Sequence, residues 1–183
     1  VNNCLIRARH MSHPRLGKAD VRASKILSWL LRHAAEKEGI HMDSAGFARL
    51  SDVLQHRSLR RVDEAAVRMI VENNDKKRFE LKEEGGVVYI RASQGHSIRS
   101  VSDEHLLTPI GDPSEAGECV HGTYEDAWRS IRMTGLKRMT RNHVHFAPGL
   151  PRDSKVISGM RHNCEVAVYL DVEQVLAAGM KLY

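Results

Sequence analysis

The chain reads as α+β, a helical amino-terminal half followed by a mixed half of short strands and helices. Three observations carry this expectation. Apolar residues recur at helical spacing through three early segments, two alternating segments flank Gly85-Gly86, and a proline- and glycine-containing break separates this grammar from another.

The first helix is predicted from Asp20 to about Glu36, where Ile26, Leu27, Leu30, Leu31 and Ala34 form one apolar stripe. Asp43 to Gly46 reads as a turn. "RLSDVLQH" follows as a short helix with Leu50, Val53 and Leu54 inward, and "DEAAVRMIVENN" as a third that packs Val67, Ile70 and Val71. In "RFELKEEGGVVYIRA", Phe79 and Leu81 alternate with charge before the glycine pair, and Val87 and Tyr89 alternate after it, which is the pattern of a β-hairpin. Three helices and then a hairpin is the order of a winged helix.

The segment "SDEHLLTPIGDPSEAGE" breaks both periodicities and marks the domain boundary. Beyond it, "ECVHGT" is a strand and Thr123 opens a helix, with Asp126 as a variant capping box and Gly135 as its stop. "HVHFA" alternates as a strand, "EVAVYLDV" is a stronger strand, "VEQVLAA" a brief helix, and "KLY" the start of another strand. The resulting division is a basic extension over 1–18, an amino-terminal lobe over 19–100, a linker over 101–118 and a second lobe over 119–183.

Lys and Arg number 28 against 23 Asp and Glu, for a net charge of +5, so anionic partners are favoured. No apolar run is long enough to span a bilayer, and no membrane partner is expected. The three cysteines, Cys4, Cys119 and Cys164, are widely separated and form no CxxC pair. That pattern fits a reducing compartment, intracellular and cytoplasmic, or nuclear in a eukaryotic host.

Single residues are ambiguous. His143 and His145 share one face of the expected strand and could be two metal ligands, but no nearby Cys, Asp or Glu completes a set, and Arg141 beside them favours an anion. Arg32 and His33 close the first helix, Arg32 reading as a solvated arginine and His33 as an edge-of-stripe histidine. Arg78 reads as a strand-end charge. Gln94, His96 and Ser97 sit in a loop able to present an amide, an imidazole and a hydroxyl to a phosphate or sugar. His121, Gly122 and Thr123 lie at a strand end before a helix, where glycine permits close approach and the helix start favours anions.

Taken together they are not ambiguous. "SKILSWLLRHAA", "NDKKRFEL", "IRASQGHSI", "VHGTYE", "RNHVHFAPG" and "VISGMRHNCEVAVYLD" occur in the order seen in the RNA 2′-phosphotransferase family, which the chain resembles from Ser24 to Tyr183. The resemblance implies a winged-helix lobe joined to an ADP-ribosyltransferase-like NAD-binding lobe. It implies removal of an internal 2′-phosphate from RNA, of the kind left in spliced tRNA, with NAD⁺ as co-substrate and no metal required. The phosphate displaces nicotinamide, leaving RNA joined to ADP-ribose. The ribose 2″-hydroxyl then attacks phosphorus, releasing 2′-hydroxyl RNA and ADP-ribose 1″,2″-cyclic phosphate. The family's catalytic tetrad falls on Arg32, His33, Arg78 and Arg141. The resemblance places His121, Gly122, Thr123, His145, Ser158 and Gly159 at the nucleotide and Gln94, His96 and Ser97 at the RNA. A monomer is expected. So are further strands past "GMKLY", which would leave the second lobe incomplete at Tyr183. The alternatives are a winged-helix nucleic-acid-binding protein without catalysis, an ADP-ribosyltransferase that caps nucleic-acid ends and, more distantly, a metal-binding protein.

Overall fold

A computed structural model describes residues 17–74, 76–151, 153, 156, 160–161 and 163–183. The expected basic extension falls almost wholly outside these, as do Ser158 and Gly159.

Helix α1 spans Lys18–Trp29, and the Asp20 carboxylate accepts a hydrogen bond from the Gly17 amide at 2.8 Å at its start. That bond satisfies one of the orphan donors of a helix N-terminus and moves the start ahead of Asp20. The expected single α-helix ends early: Leu30–Ala34 is a π-turn, closed by the Ala35 amide on the Leu30 carbonyl at 2.8 Å. After the Asp43–Gly46 turn come β1 (Ala48–Arg49), α2 (Leu50–Leu54), a 3₁₀ turn over Arg57–Leu59 and α3 (Glu64–Glu72). Asp43 Oδ1 accepts from the amides of Ala45 and Phe47, so one carboxylate organises that turn. Strands β2 (Phe79–Glu84) and β3 (Val87–Ala92) form the expected hairpin in the register Phe79↔Ala92 to Glu84↔Val87. Gly85 and Gly86 both have positive φ, as a tight two-residue hairpin turn requires. The unexpected β1 adds to β3, giving the antiparallel order β1-β3-β2.

One apolar core joins these elements. Leu27, Leu30 and Leu31 meet Leu50, Val53, Leu59, Val67, Ile70 and Ile90, all essentially inaccessible to solvent. Each such side chain contributes about 1.5–3 kcal/mol through burial. Val101 is in the same core and Leu106 packs against it. The segment expected as a bare linker therefore begins as part of the first core, and it carries two short helices, α4 (Asp103–Leu106) and α5 (Pro113–Ala116).

The second half is smaller in its packing. Strands β4 (Val120–Thr123) and β5 (Val166–Tyr169) pair antiparallel, flanked by α6 (Glu125–Thr134) and α7 (Val172–Ala177). Three sequence expectations need correction here. Thr123 is the last residue of β4 and does not cap α6; the Glu165 carboxylate, 40 positions along the chain, accepts from the Glu125 amide at 2.9 Å instead. "HVHFA" is not a strand, because its one backbone bridge to β4 among the described residues is at Ala147, through reciprocal amide–carbonyl contacts with Val120 at 2.8 and 2.9 Å. "KLY" makes a single bridge, Leu182 to Ile110. The α+β class stands, with one three-stranded and one two-stranded sheet among the described residues.

Candidate functional site

Arg32 and His33 lie inside the π-turn. A π-turn is a costly local geometry that recurs at functional sites, and its extra residue displaces neighbours from α-helical positions. Arg32 is accordingly not the solvated arginine expected from a 3.6-residue wheel. It is half-buried, with Nε inaccessible and without a protein partner. Arg78 enters just before β2, after Lys77 at φ 42°, and its Nη1 donates to Asn74 Oδ1 at 3.3 Å. Arg141 follows Met139 at φ 55°. These two are the non-glycine residues with positive φ among the described residues, and each directly precedes a tetrad arginine or lies two positions before it. Left-handed backbone of this kind costs roughly 1–3 kcal/mol and clusters at functional sites.

Arg32 stands within electrostatic reach of the other three. Burial lowers the Arg32 pKa first, and the guanidinium groups of Arg141 and Arg78 lower it further. Burial also lowers the His33 pKa, followed by Arg141 and Arg32. Among the described residues no ion pair joins Arg32, Arg78 or Arg141 to a carboxylate. Three uncompensated cations beside a neutral imidazole form a site poised for a multiply charged anion.

A short segment holds the two halves of this site in register. The Ser97 amide donates to the Arg32 carbonyl at 2.9 Å, and Ser97 Oγ lies 3.0 Å from His33 Nδ1. From the other side, the Asn142 amide donates to the His96 carbonyl at 2.8 Å and its Nδ2 to the Ile98 carbonyl at 3.2 Å. Residues 96–98 thus clip the loop of Arg141 to the turn of Arg32 and His33. Asn142 and Asn74 were not singled out from sequence, since an asparagine in a loop carries no periodic signal.

Of the other expected residues, His121 Nδ1 donates to the His145 carbonyl at 2.9 Å, and His145 Nδ1 to the His143 carbonyl at 3.1 Å. Because a carbonyl only accepts, both rings carry Nδ1–H and leave Nε2 as an acceptor. His145 is held near pKa 4, by burial first and then by Arg141. Gln94 is exposed and Thr123 is buried. A cavity of about 750 Å³ is lined by Gln94, His96 and His145, with Phe146, Leu170 and Tyr183, and by none of the tetrad. Arg32 and Arg78 line a second cavity. The wall of the larger cavity combines aliphatic residues with His96, His143 and His145.

Gly122 serves packing. A Cβ there would sit 2.7 Å from Met160 Cγ and 3.0 Å from Cys164 Sγ. Gly122→Ala should therefore destabilise the chain by about 1–3 kcal/mol, the usual range for overpacking, and lower the thermal midpoint in calorimetry. An unchanged midpoint would show that Met160 and Cys164 yield freely.

His96 is 3% exposed, and both ring nitrogens are buried without a protein partner. Burial, then Arg32, His33, Arg91 and His143, hold its pKa near 4 against an ordinary value of 6.5. The unfolded chain therefore binds the extra proton between pH 6.5 and 4. Stability is fully present above 6.5 and falls as pH drops toward 4, by roughly 3 kcal/mol from this residue at 1.36 kcal/mol per unit. Urea midpoints at pH 7.5 and 4.5 should differ accordingly, and His96→Gln should shrink the difference. An equal difference in the variant would remove His96 from this role.

The geometry defines a class of site, arginines and one imidazole within electrostatic reach of one another and without a carboxylate partner among the described residues. Sequence comparison agrees. Residues 18–183 match the model of the RNA 2′-phosphotransferase, Tpt1 / KptA family. The chain is 44% identical to tRNA 2′-phosphotransferase 1 of Danio rerio over 166 residues, 90% of this chain and 74% of that protein. It is 40% identical to tRNA 2′-phosphotransferase 1 of Homo sapiens over 180 residues, 97% and 70% of the two. Against tRNA 2′-phosphotransferase of Saccharomyces cerevisiae it is 41% identical over 168 residues, 87% and 72%. The chain belongs to the RNA 2′-phosphotransferase family and is an enzyme of that class. No helix among the described residues is long and apolar enough to cross a membrane, and among them no group of three or more His, Cys, Asp or Glu could hold a metal ion.

Proposed function

We propose that this chain uses NAD⁺ to remove an internal 2′-phosphate from RNA, with tRNA the substrate class to which its relatives' names point. The observation that supports this most is the mutual approach of Arg32, Arg78, Arg141 and His33 without an acidic counter-ion among the described residues. Like charges held together are unfavourable until a polyanion joins them, and a 2′-phosphate carries nearly two charges at neutral pH. In this reading the first lobe, to about residue 100, is a winged helix that presents the RNA phosphate. The lobe from 119 onward is ADP-ribosyltransferase-like and presents the nucleotide.

NAD⁺ supplies an electrophilic ribose carbon and nicotinamide as its leaving group. The residues fit a nucleotide ribose, since His121 and His145 are both engaged through Nδ1 and offer Nε2 as a hydroxyl acceptor. Gly122 and Thr123 follow His121 in the sequence and are proposed to bind the nucleotide with it; Ser158 and Gly159, also proposed there, lie outside the described residues. Arg32 and Arg78 hold the 2′-phosphate while its oxygen bonds to the ribose carbon and the bond to nicotinamide breaks. In the second step the ribose 2″-oxygen bonds to phosphorus and the bond from phosphorus to the RNA 2′-oxygen breaks. His33 takes the 2″-hydroxyl proton and returns it to the departing RNA oxygen. Arginine forks stabilise the extra charge on the five-coordinate phosphorus.

Nicotinamide release tests the reading. It should follow addition of 2′-phosphorylated oligonucleotide and be absent with the same oligonucleotide lacking that phosphate. Equal release with both would contradict the proposal.

A further inference from the structure

A second cavity, of about 390 Å³, opens where one stripe of α1 meets the turn between α3 and β2. Arg32 and Arg78 line it together with Lys25, Ser28, Asn74 and Lys76. Lys25 and Lys76 are exposed, so the cavity has a cationic rim as well as a cationic floor. Among the described residues, none of those lining it carries a carboxylate. Asn74 is only 7% exposed; its Oδ1 accepts from the Lys76 amide at 3.1 Å and from Arg78 at 3.3 Å. Its Nδ2 is buried with no protein partner, and Arg32 Nε is in the same state. A buried donor without an acceptor costs about 1–3 kcal/mol, so two of them in one cationic cavity call for an anionic acceptor. The volume lies within the range of about 300–1,000 Å³ typical of small-molecule sites and exceeds the need of one phosphate.

We propose that this groove is a subsite for the RNA backbone beside the phosphorylated nucleotide. The neighbouring phosphodiester lies between Lys25 and Lys76, with Asn74 Nδ2 donating to it, while Arg32 and Arg78 hold the 2′-phosphate. The inference rests on the 2′-phosphotransferase reading. RNA is favoured over the NAD⁺ pyrophosphate because His121 and His145 do not line this groove, and because a rim of exposed lysines suits a polymer passing across it.

The test measures binding of a fluorescent hexanucleotide with one internal 2′-phosphate, and its displacement by a nucleoside 2′-phosphate. Lys25→Ala/Lys76→Ala, changing two exposed side chains, should raise the hexanucleotide Kd about tenfold at low salt. It should also reduce the slope of log Kd against log salt by about 0.7, the value for one single-strand phosphate contact. The nucleoside 2′-phosphate should weaken by less than about twofold, as expected when rim charges are remote from it. Arg57→Ala/Arg60→Ala, which removes the same charge from exposed positions outside the groove, should leave hexanucleotide binding unchanged. The proposal is overturned if the two double variants behave alike, or if the lysine variant weakens both ligands by one factor. Binding needs no turnover, so failure of the enzymatic reading would show separately, as absence of nicotinamide release by the parent chain.

Discussion

His33→Ala should still release nicotinamide but accumulate RNA carrying ADP-ribose on its 2′-phosphate. The two chemical steps make unequal demands on proton transfer. A phosphate dianion is a nucleophile as it stands, whereas the second step must deprotonate a ribose hydroxyl and protonate a departing RNA oxygen. Positioned proton transfer is worth roughly 10²–10⁴-fold in rate, and His33 is the tetrad member able to supply it. Its lowered pKa, caused by burial and then by Arg141 and Arg32, keeps the ring neutral and ready to accept a proton at pH 7. Ser97 Oγ engages Nδ1 at 3.0 Å, which leaves Nε2 as the ring nitrogen to face the substrate. The acid limb of the second step should consequently lie below the ordinary imidazole value. A His33→Ala enzyme that blocks nicotinamide release and forms no adduct would refute the step assignment.

The arginines should divide by step as well. Arg141→Ala is expected to slow nicotinamide release itself by about 10²–10³-fold, the usual effect of deleting one preorganised electrostatic donor. Arg32→Ala and Arg78→Ala should instead bias the reaction toward adduct, more weakly than His33→Ala because both also hold the substrate. Single-turnover reactions on end-labelled 2′-phosphorylated RNA separate substrate, adduct and product on one gel. Identical product patterns for Arg32→Ala and Arg141→Ala would show that the arginines act as one charge and not by position.

Local periodicity carried much of the fold. The stripe of α1, the inward faces of α2 and α3, the Gly85-Gly86 hairpin and the stop of α6 at Gly135 are each written in a few adjacent residues. Features set by distant partners were not legible. Ala48–Arg49 becomes a strand only because β3 offers it an edge, and α6 is capped by Glu165, the residue just before β5. The alternation in "HVHFA" misled for the same reason: apart from Ala147, those residues find no ladder to join. The π-turn was also invisible, since "LLRHAA" fits an α-helix as well as it fits the wider turn that buries Arg32. For the site, the four tetrad positions came from motif resemblance and no physical pattern in the sequence brings them together. The clip through Ser97 and Asn142 required coordinates to be seen.

The central claim is that this arginine–histidine cluster removes an RNA 2′-phosphate at the expense of NAD⁺. Mass analysis of an internally 2′-phosphorylated oligonucleotide, incubated with and without NAD⁺ in the presence of EDTA, tests it most directly. The account predicts loss of one phosphate from the RNA only when NAD⁺ is present, with ADP-ribose cyclic phosphate as the second product. Phosphate loss without NAD⁺, or none with it, would contradict the account.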